Sequence, residues 1–378
     1  MVAAGGDVGG QLKSVHRRLD YRTMTRRCWL AGISLGAAAQ EKPAIAPLRG
    51  LSRTNLLEYR DASGRLRVAR SRGDWEIRRR EAIAGMHAVT GPLPGEEKRC
   101  PLAVTVHEET DMGSYVRRAI SYAAEPGGRT TAFLTIPKKA LAGQRARAVL
   151  CLHPTDNTAG YKVVVGLGGR PHRQYAAELA ERGFVTISPS YVQLADYQPD
   201  LRKLGYESGT MKAIWDNIRA LDLLDSLPQV RRGQYAAIGH SLGGHNAIYT
   251  AVHEKRIGVV VSSCGFDSFL DYYGGNIKGW VQERYMMRMG QYVAAPQNVP
   301  FDFYELVGAL APRAFFVNAP LRDANFQHAS VDRIREAALP VFRLYGAAER
   351  LRVEHPDCEH DFPDAVRFAA YEWIARYC

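Results

Sequence analysis

The chain has 378 residues, 46% of them hydrophobic and 24% charged, the composition of an ordinary globular protein and not of a low-complexity chain. Its formal net charge is +11, with much of the excess in Arg17, Arg18, Arg22, Arg26, Arg27 and Arg78-Arg79-Arg80. No aromatic-interleaved basic array or helix-turn-helix pattern accompanies that charge, so it reads as a basic surface that attracts acidic polymers such as a uronate-bearing glycan, and not as a nucleic-acid site.

In chain order, the first signal is Met24-Thr25-Arg26-Arg27-Cys28-Trp29-Leu30, followed by the apolar Ala31 to Gly36 and by Ala37-Ala38-Ala39. This is a twin-arginine n-region, a short apolar stretch and an A-x-A cleavage site. The apolar stretch is too short to be a permanent membrane anchor. With translation starting at Met24, the protein is exported to the periplasm or secreted; the alternative is a basic tail on a cytoplasmic protein. We therefore expect an extension and signal peptide over 1–39, an N-terminal arm and helix over 40–99, and one catalytic domain over 100–378.

A helix is expected over 75–90. Residues 102–109 and 115–122 read as antiparallel edge strands, with a turn at 125–129. Strands follow at 131–137, 146–152 and 184–188, with a helix over 175–182 between the last two. A long amphipathic helix over 210–227 leads to an apolar strand at 235–238. Beyond it lie a helix over 245–252, a strand at 258–264, a strand from 314, a helix over 331–338, a strand at 341–345 and a closing helix over 365–377. Such alternation predicts an α/β protein with a mainly parallel sheet flanked by helices.

The apolar strand ends in Gly239-His240-Ser241-Leu242-Gly243. A strand that runs through G-x-S-x-G into a helix is the nucleophile elbow of the α/β-hydrolase fold. The Ser must sit at the tip of a strained turn, and only small residues let the two arms pass. Gly239 and Gly243 meet that need, and Gly244 is expected to add slack. An acid and a His should follow in that order. Asp323, just past the strand that starts at 314, is the candidate acid; Asp267 and Asp332 are its rivals. His360, directly before the closing helix, is the candidate base, ahead of His355 and His328. Asp361 reads as a capping or loop residue. The oxyanion donors are expected at the Leu242 N–H and at Thr155 or Asp156, in the loop after strand 146–152, where the His153 side chain ties the loop.

Residues 266–306 form an insertion where this fold commonly carries a lid. Most of its aromatics should bury the lid on the body; Tyr273, Trp280 and Tyr285 are the candidates to face substrate. Six Cys are present, without C-x-x-C spacing, so no zinc site is expected. Cys151 and Cys264 read as free buried thiols.

From about Cys100 onward the chain resembles the bacterial α/β-hydrolases of the acetyl xylan esterase-like and dienelactone hydrolase-like group. The resemblance is carried by Leu152-His153-Pro154-Thr155, Gly166-Leu167-Gly168-Gly169, Arg182-Gly183-Phe184-Val185, Gly239 to Gly244 and Glu359-His360-Asp361-Phe362-Pro363. It implies catalytic roles for Ser241, Asp323 and His360. Dienelactone hydrolases use a Cys nucleophile, so the Ser here points to carboxylic ester hydrolysis. Glucuronoyl esterases carry an Arg shortly after the Ser of a different elbow pattern, and this chain does not, which disfavours that activity. The expectation is a serine esterase that removes small acyl groups, acetyl foremost, from carbohydrate, with no metal or organic cofactor. Its rivals are a prolyl-oligopeptidase-type peptidase, which needs a gating domain, and a non-catalytic binding protein, which usually lacks a triad member.

Overall fold

The computed structural model describes residues 50–378. The expected export signal, with Cys28, lies outside the described residues. A small antiparallel hairpin of β1 (Glu58–Arg60) and β2 (Leu66–Val68) comes first, followed by α1 (Arg72–Thr90). The helix starts at a capping box in which Ser71 and Asp74 satisfy each other's backbone N–H groups. The hairpin was not foreseen; its strands are three residues each, too short to show alternation.

The main sheet begins with three antiparallel strands, β3 (Thr105–Asp111), β4 (Tyr115–Glu125) and β5 (Gly128–Pro137). After the short α2 (Lys138–Leu141), strands alternate with helices: β6 (Ala148–Leu152), α3 (Tyr175–Glu181), β7 (Val185–Pro189), α4 (Gly209–Ser226), β8 (Tyr235–His240), α5 (Leu242–His253) and β9 (Ile257–Ser263). Beyond the insertion come α6 (Phe303–Leu310), β10 (Ala314–Asn318), α7 (His328–Leu344), β11 (Leu351–Glu354) and α8 (Asp364–Tyr377). The nine strands lie in the order β11-β10-β9-β8-β6-β7-β5-β4-β3. Pairing is parallel from β11 to β7 and antiparallel from there to β3.

Alternate residues of the central strands feed two cores. Leu150, Ala237, Val260 and Phe315 pack on one face with Ile214, Ile248 and Ile334 from α4, α5 and α7. Val149, Cys151, Ile238, Val261 and Phe316 pack on the other with Leu179 and Trp373 from α3 and α8. Burial on both faces is why these strands are continuous apolar runs.

One expected strand is absent. Residues 341–344 are the end of α7 and Tyr345 caps it, and the last sheet strand is β11 instead. Val341 and Phe342 are buried with Ile334, Ala337 and Ala338, a spacing of three and four that marks one helix face. The five-residue apolar run was too short to tell strand from helix by pattern alone.

Beneath β4 and β5, Lys212 of α4 is fully buried between carboxylates. Its ammonium bonds Asp216 and lies 3.0 Å from Glu125 Oε1. Tyr197 Oη and Thr130 Oγ1 donate to the same Asp216 carboxylate at 2.9 and 2.7 Å. Removing one partner from such a cluster strands a buried charge, at a cost of about 3–5 kcal/mol. Lys212→Met should lose stability of that order in denaturant unfolding. A loss under about 1 kcal/mol, the range of an exposed pair, would show that the cluster does not hold α4 to the sheet.

Candidate active site

Ser241 closes β8 and precedes α5, with φ 55° and ψ −120°. A side chain in that region is strained and persists only where neighbours fix it. Two glycines make the turn passable. A Cβ on Gly239 would lie 2.1 Å from Gly243 O, and one on Gly243 would lie 1.9 Å from Leu152 O. Gly244 does more than add slack: a Cβ there would be 2.8 Å from Gly265 Cα, so it lets α5 approach the end of β9. Leu242 is the first residue of α5, where backbone N–H groups have no intrahelical acceptor and attract negative charge.

His360 and Asp323 are brought together. His360 Nδ1 lies 3.0 and 2.9 Å from the two Asp323 oxygens. The Asp323 side chain is only 1% exposed, and its Oδ1 also accepts the Asn325 N–H at 2.8 Å. A carboxylate only accepts, so Nδ1 carries the proton and Nε2 is the free lone pair of the neutral ring. Ser241 and His360 line the same cleft, of about 300 Å³.

The rival residues sit elsewhere. Asp332 bonds His355 Nε2 at 2.9 Å, and His355 Nδ1 donates to Ala319 O. His328 stacks edge-on against His355 and does not reach the cleft. Asp267 Oδ2 accepts the Gln327 N–H at 3.2 Å; burial, with Asp302, Asp271 and Asp323 adding to it, pushes its carboxyl up to about 8. Asp361 bonds Arg173 at 2.6 Å and His172 at 2.7 Å, pinning the His360 loop to the loop after β6.

Thr155 lines the cleft, and its hydroxyl lies 3.3 Å from Tyr285 Oη. His153 behind it is buried; Nδ1 donates to Pro154 O and Nε2 accepts the Tyr191 N–H. Burial holds its imidazole down at about 4, so it stays neutral and ties the loop.

A second cavity of about 170 Å³ opens on the other side of Ser241. Tyr273, Trp280 and Tyr285 all line it, with Tyr272, Phe326 and His245. The insertion that supplies Tyr285 is fastened to the body: Thr210 N donates to Tyr285 O, and Tyr191 Oη to Arg284 O. Phe266, Phe269, Phe301 and Phe303 of the same region are buried in the core.

Several supporting residues were not foreseen. His240 is buried beside the nucleophile position, 2.9 Å from Ser263 Oγ and edge-on to His360 at 4.8 Å between ring centres. Burial, Arg173 and His360 keep its imidazole neutral. Asn318, at the end of β10, donates to Ser263 Oγ and to Asp361 O, both at 2.8 Å. A polar residue ending an apolar strand was the available signal. The Cys264 thiol lies with the Asp323 and His360 ligand atoms within 4.8 Å. Burial first, then the Asp323 charge, pushes that thiol up and keeps it protonated.

No family model matches the chain. Over 165 residues it is 27% identical to YtaP of Bacillus subtilis (strain 168), a protein described as a hydrolase; the match covers 43% of this chain and 52% of that one. Among solved structures, a glucuronoyl esterase from Solibacter usitatus superposes with a TM-score of 0.69 at 17% identity, covering 88% of this chain and 98% of that one. An acetyl xylan esterase from Paenibacillus sp. R4 superposes with a TM-score of 0.53 at 16% identity, covering 82% and 96%. The chain has the α/β-hydrolase fold. At such identities the likeness carries the fold and not the substrate.

The two His–Asp pairs can be told apart by turnover of an activated ester. Asp323→Asn should lower kcat by about 10⁴-fold, the scale for an imidazole that loses its orienting acid. Asp332→Asn should change it less than about 3-fold, since exposed polar substitutions away from a site do little. The reverse order would assign the chemistry to His355.

Proposed function

We propose that the protein is a serine carboxylic ester hydrolase that acts on carbohydrate esters through an acyl-enzyme. The observation that carries this reading is a Ser on a strained elbow sharing a cleft with an imidazole whose far nitrogen is held by a buried carboxylate. Ser241 attacks the ester carbonyl, and His360 Nε2 takes its proton. The oxyanion forms against the Leu242 N–H and an N–H of the Thr155 loop. His360 then returns the proton to the departing alkoxide, and water repeats the sequence on the acyl-enzyme. No metal or organic cofactor enters these steps. The superposed glucuronoyl and acetyl xylan esterases support carbohydrate esters as the substrate class.

The two cavities divide the substrate. The leaving oxygen must receive a proton from His360, which lines the larger polar cleft and not the aromatic cavity. The alcohol half therefore belongs in the polar cleft and the acyl half among the aromatic rings. Acetyl is the acyl group that the resemblance implies. A second reading is a sugar-acid acyl group. It is favoured by size, because about 170 Å³ is on the order of a cavity that takes a six-membered ring, and a methyl group leaves most of it unfilled.

Ser241→Ala should stay folded and lose at least about 10⁴-fold in kcat, and a fluorophosphonate should label Ser241 alone. Near-normal ester turnover in that variant would refute the mechanism. With acetyl, butyryl and octanoyl esters of one alcohol, kcat/KM should fall by about 10-fold or more once the chain outgrows the aromatic walls. Comparing an acetylated sugar with a uronate methyl ester separates the two acyl readings. A profile that rises through octanoyl would sink both and leave only ester hydrolysis.

A further inference from the structure

We propose that Arg170 binds a carboxylate on the alcohol half of the ester, so that esters of acid-bearing alcohols, such as uronic-acid-containing glycans, are the preferred substrates. This rests on the division of the substrate just argued, with the alcohol half in the polar cleft.

The charged groups of that cleft are Arg170, Arg173 and Asp156. Arg173 is buried and already engaged: its guanidinium bonds Asp361 at 2.6 Å and the carbonyls of Pro171, His172 and His360. Asp156 is engaged as well, accepting the N–H groups of Thr158 at 2.9 Å and Ala159 at 2.7 Å. Arg170 is exposed and forms neither a hydrogen bond nor an ion pair within the described residues. It is the cleft's one guanidinium with its whole donor fork open to a ligand, and that fork matches a carboxylate bidentately.

The stem of Arg170 starts from a fixed point. Gly169 has φ +81°, and a Cβ there would lie 2.4 Å from Val163 Cγ1. Only Gly lets the loop pack on Val163, itself part of the cleft wall. Three residues on, the Arg173 contacts hold the loop to the His360 segment. The Arg170 charge reaches the floor of the site, where it adds to burial, Arg173 and His360 in keeping His240 neutral.

The surroundings limit the anion to one nearby carboxylate. A further hollow of about 450 Å³ shares Arg170, Arg173 and His360 with the cleft and adds Arg322, Glu359, and the bonded pair His172 and Asp361. Arg322 is paired with Asp357. Among the described residues Glu359 makes no side-chain hydrogen bond, and its carboxylate opposes negative charge further out. Asp156 opposes it beside the Arg170 stem, its Oδ2 3.6 Å from where a Cβ on Gly169 would lie. A single acid group beside the reacting ester suits this arrangement; a dense polyanion does not.

The test uses the full chain and two esters with the same acyl group, phenyl acetate and 4-acetoxybenzoate, each rate divided by that ester's own hydroxide rate. Wild type should favour the anionic leaving group in kcat/KM by about 5-fold, the upper end for an exposed ion pair. The preference should fade in about 1 M salt, survive in part in Arg170→Lys and reverse in Arg170→Glu. Equal normalised rates in wild type, or a preference that Arg170→Glu leaves untouched, would overturn the proposal while Ser241-dependent cleavage of phenyl acetate still stands. Absence of Ser241-dependent cleavage of either ester would instead overturn the hydrolase reading beneath it.

Discussion

The backbone of Ser241, held at φ 55° and ψ −120°, is the constraint on which the rest of the site depends. A non-glycine residue there costs about 1–3 kcal/mol and must be over-determined by its surroundings. Three strand ends supply that determination. The Ser241 N–H donates to Ser263 O at 2.7 Å, at the end of β9. Gly239 lies against Gly243 within the turn, and Gly243 lies against Leu152 at the end of β6. Because β6, β8 and β9 are neighbours in the parallel sheet, their registry fixes the elbow, and the elbow fixes where the first N–H groups of α5 point. A change that shifts any of the three strands by a fraction of an ångström moves the serine as well.

The histidine is held by a separate set of contacts that starts from the same strand ends. Asn318 ends β10 and bonds both Ser263 Oγ and Asp361 O. Arg173, from the loop after β6, reaches Asp361 and the carbonyl of His360. Asp323 then takes Nδ1 of the ring. The nucleophile and the loop that carries the base are therefore both tied to Ser263: its carbonyl holds the serine backbone, and its hydroxyl meets His240 and Asn318, which bonds Asp361 O next to His360. Such shared anchoring keeps two loops from distant parts of the chain in register.

Much of this was legible in the sequence, for physical reasons. Strands buried on both faces appear as unbroken apolar runs, so β6 to β10 could be placed to within a few residues. The elbow could be found because its steric demand falls on residues that are contiguous in sequence. Asp323 and His360 could be paired because the fold places its acid and base after particular strands. The failures have equally plain causes. The run at 341–345 carries both a strand and a helix pattern, and α7 won because Val341 and Phe342 complete its buried face. Arg173 and His240 carry no signal of their own, and Asn318 only that of a polar residue ending an apolar strand. Each acts through contacts that exist only once distant strand ends meet, and a local pattern cannot show those. The aromatic residues of the insertion could be nominated but not ranked, since core and cavity both favour Tyr and Trp.

The asymmetry of the two cavities also constrains the order of events in the proposed mechanism. They share Thr155, Ser241 and Asn325 and little else. The acyl group, once bonded to Ser241, stays among the aromatic rings, out of contact with His360. Water that cleaves the acyl-enzyme must be activated by His360, so it must approach through the polar cleft. That is the space the alcohol occupies until it leaves. Deacylation by water is thus possible only after the alcohol has departed, and an alcohol held tightly in the cleft both speeds acylation and delays water. An anion-binding Arg170 at the edge of the cleft, exposed to solvent and screened by salt, suits that compromise better than a buried partner would: it draws the alcohol half in and still releases it.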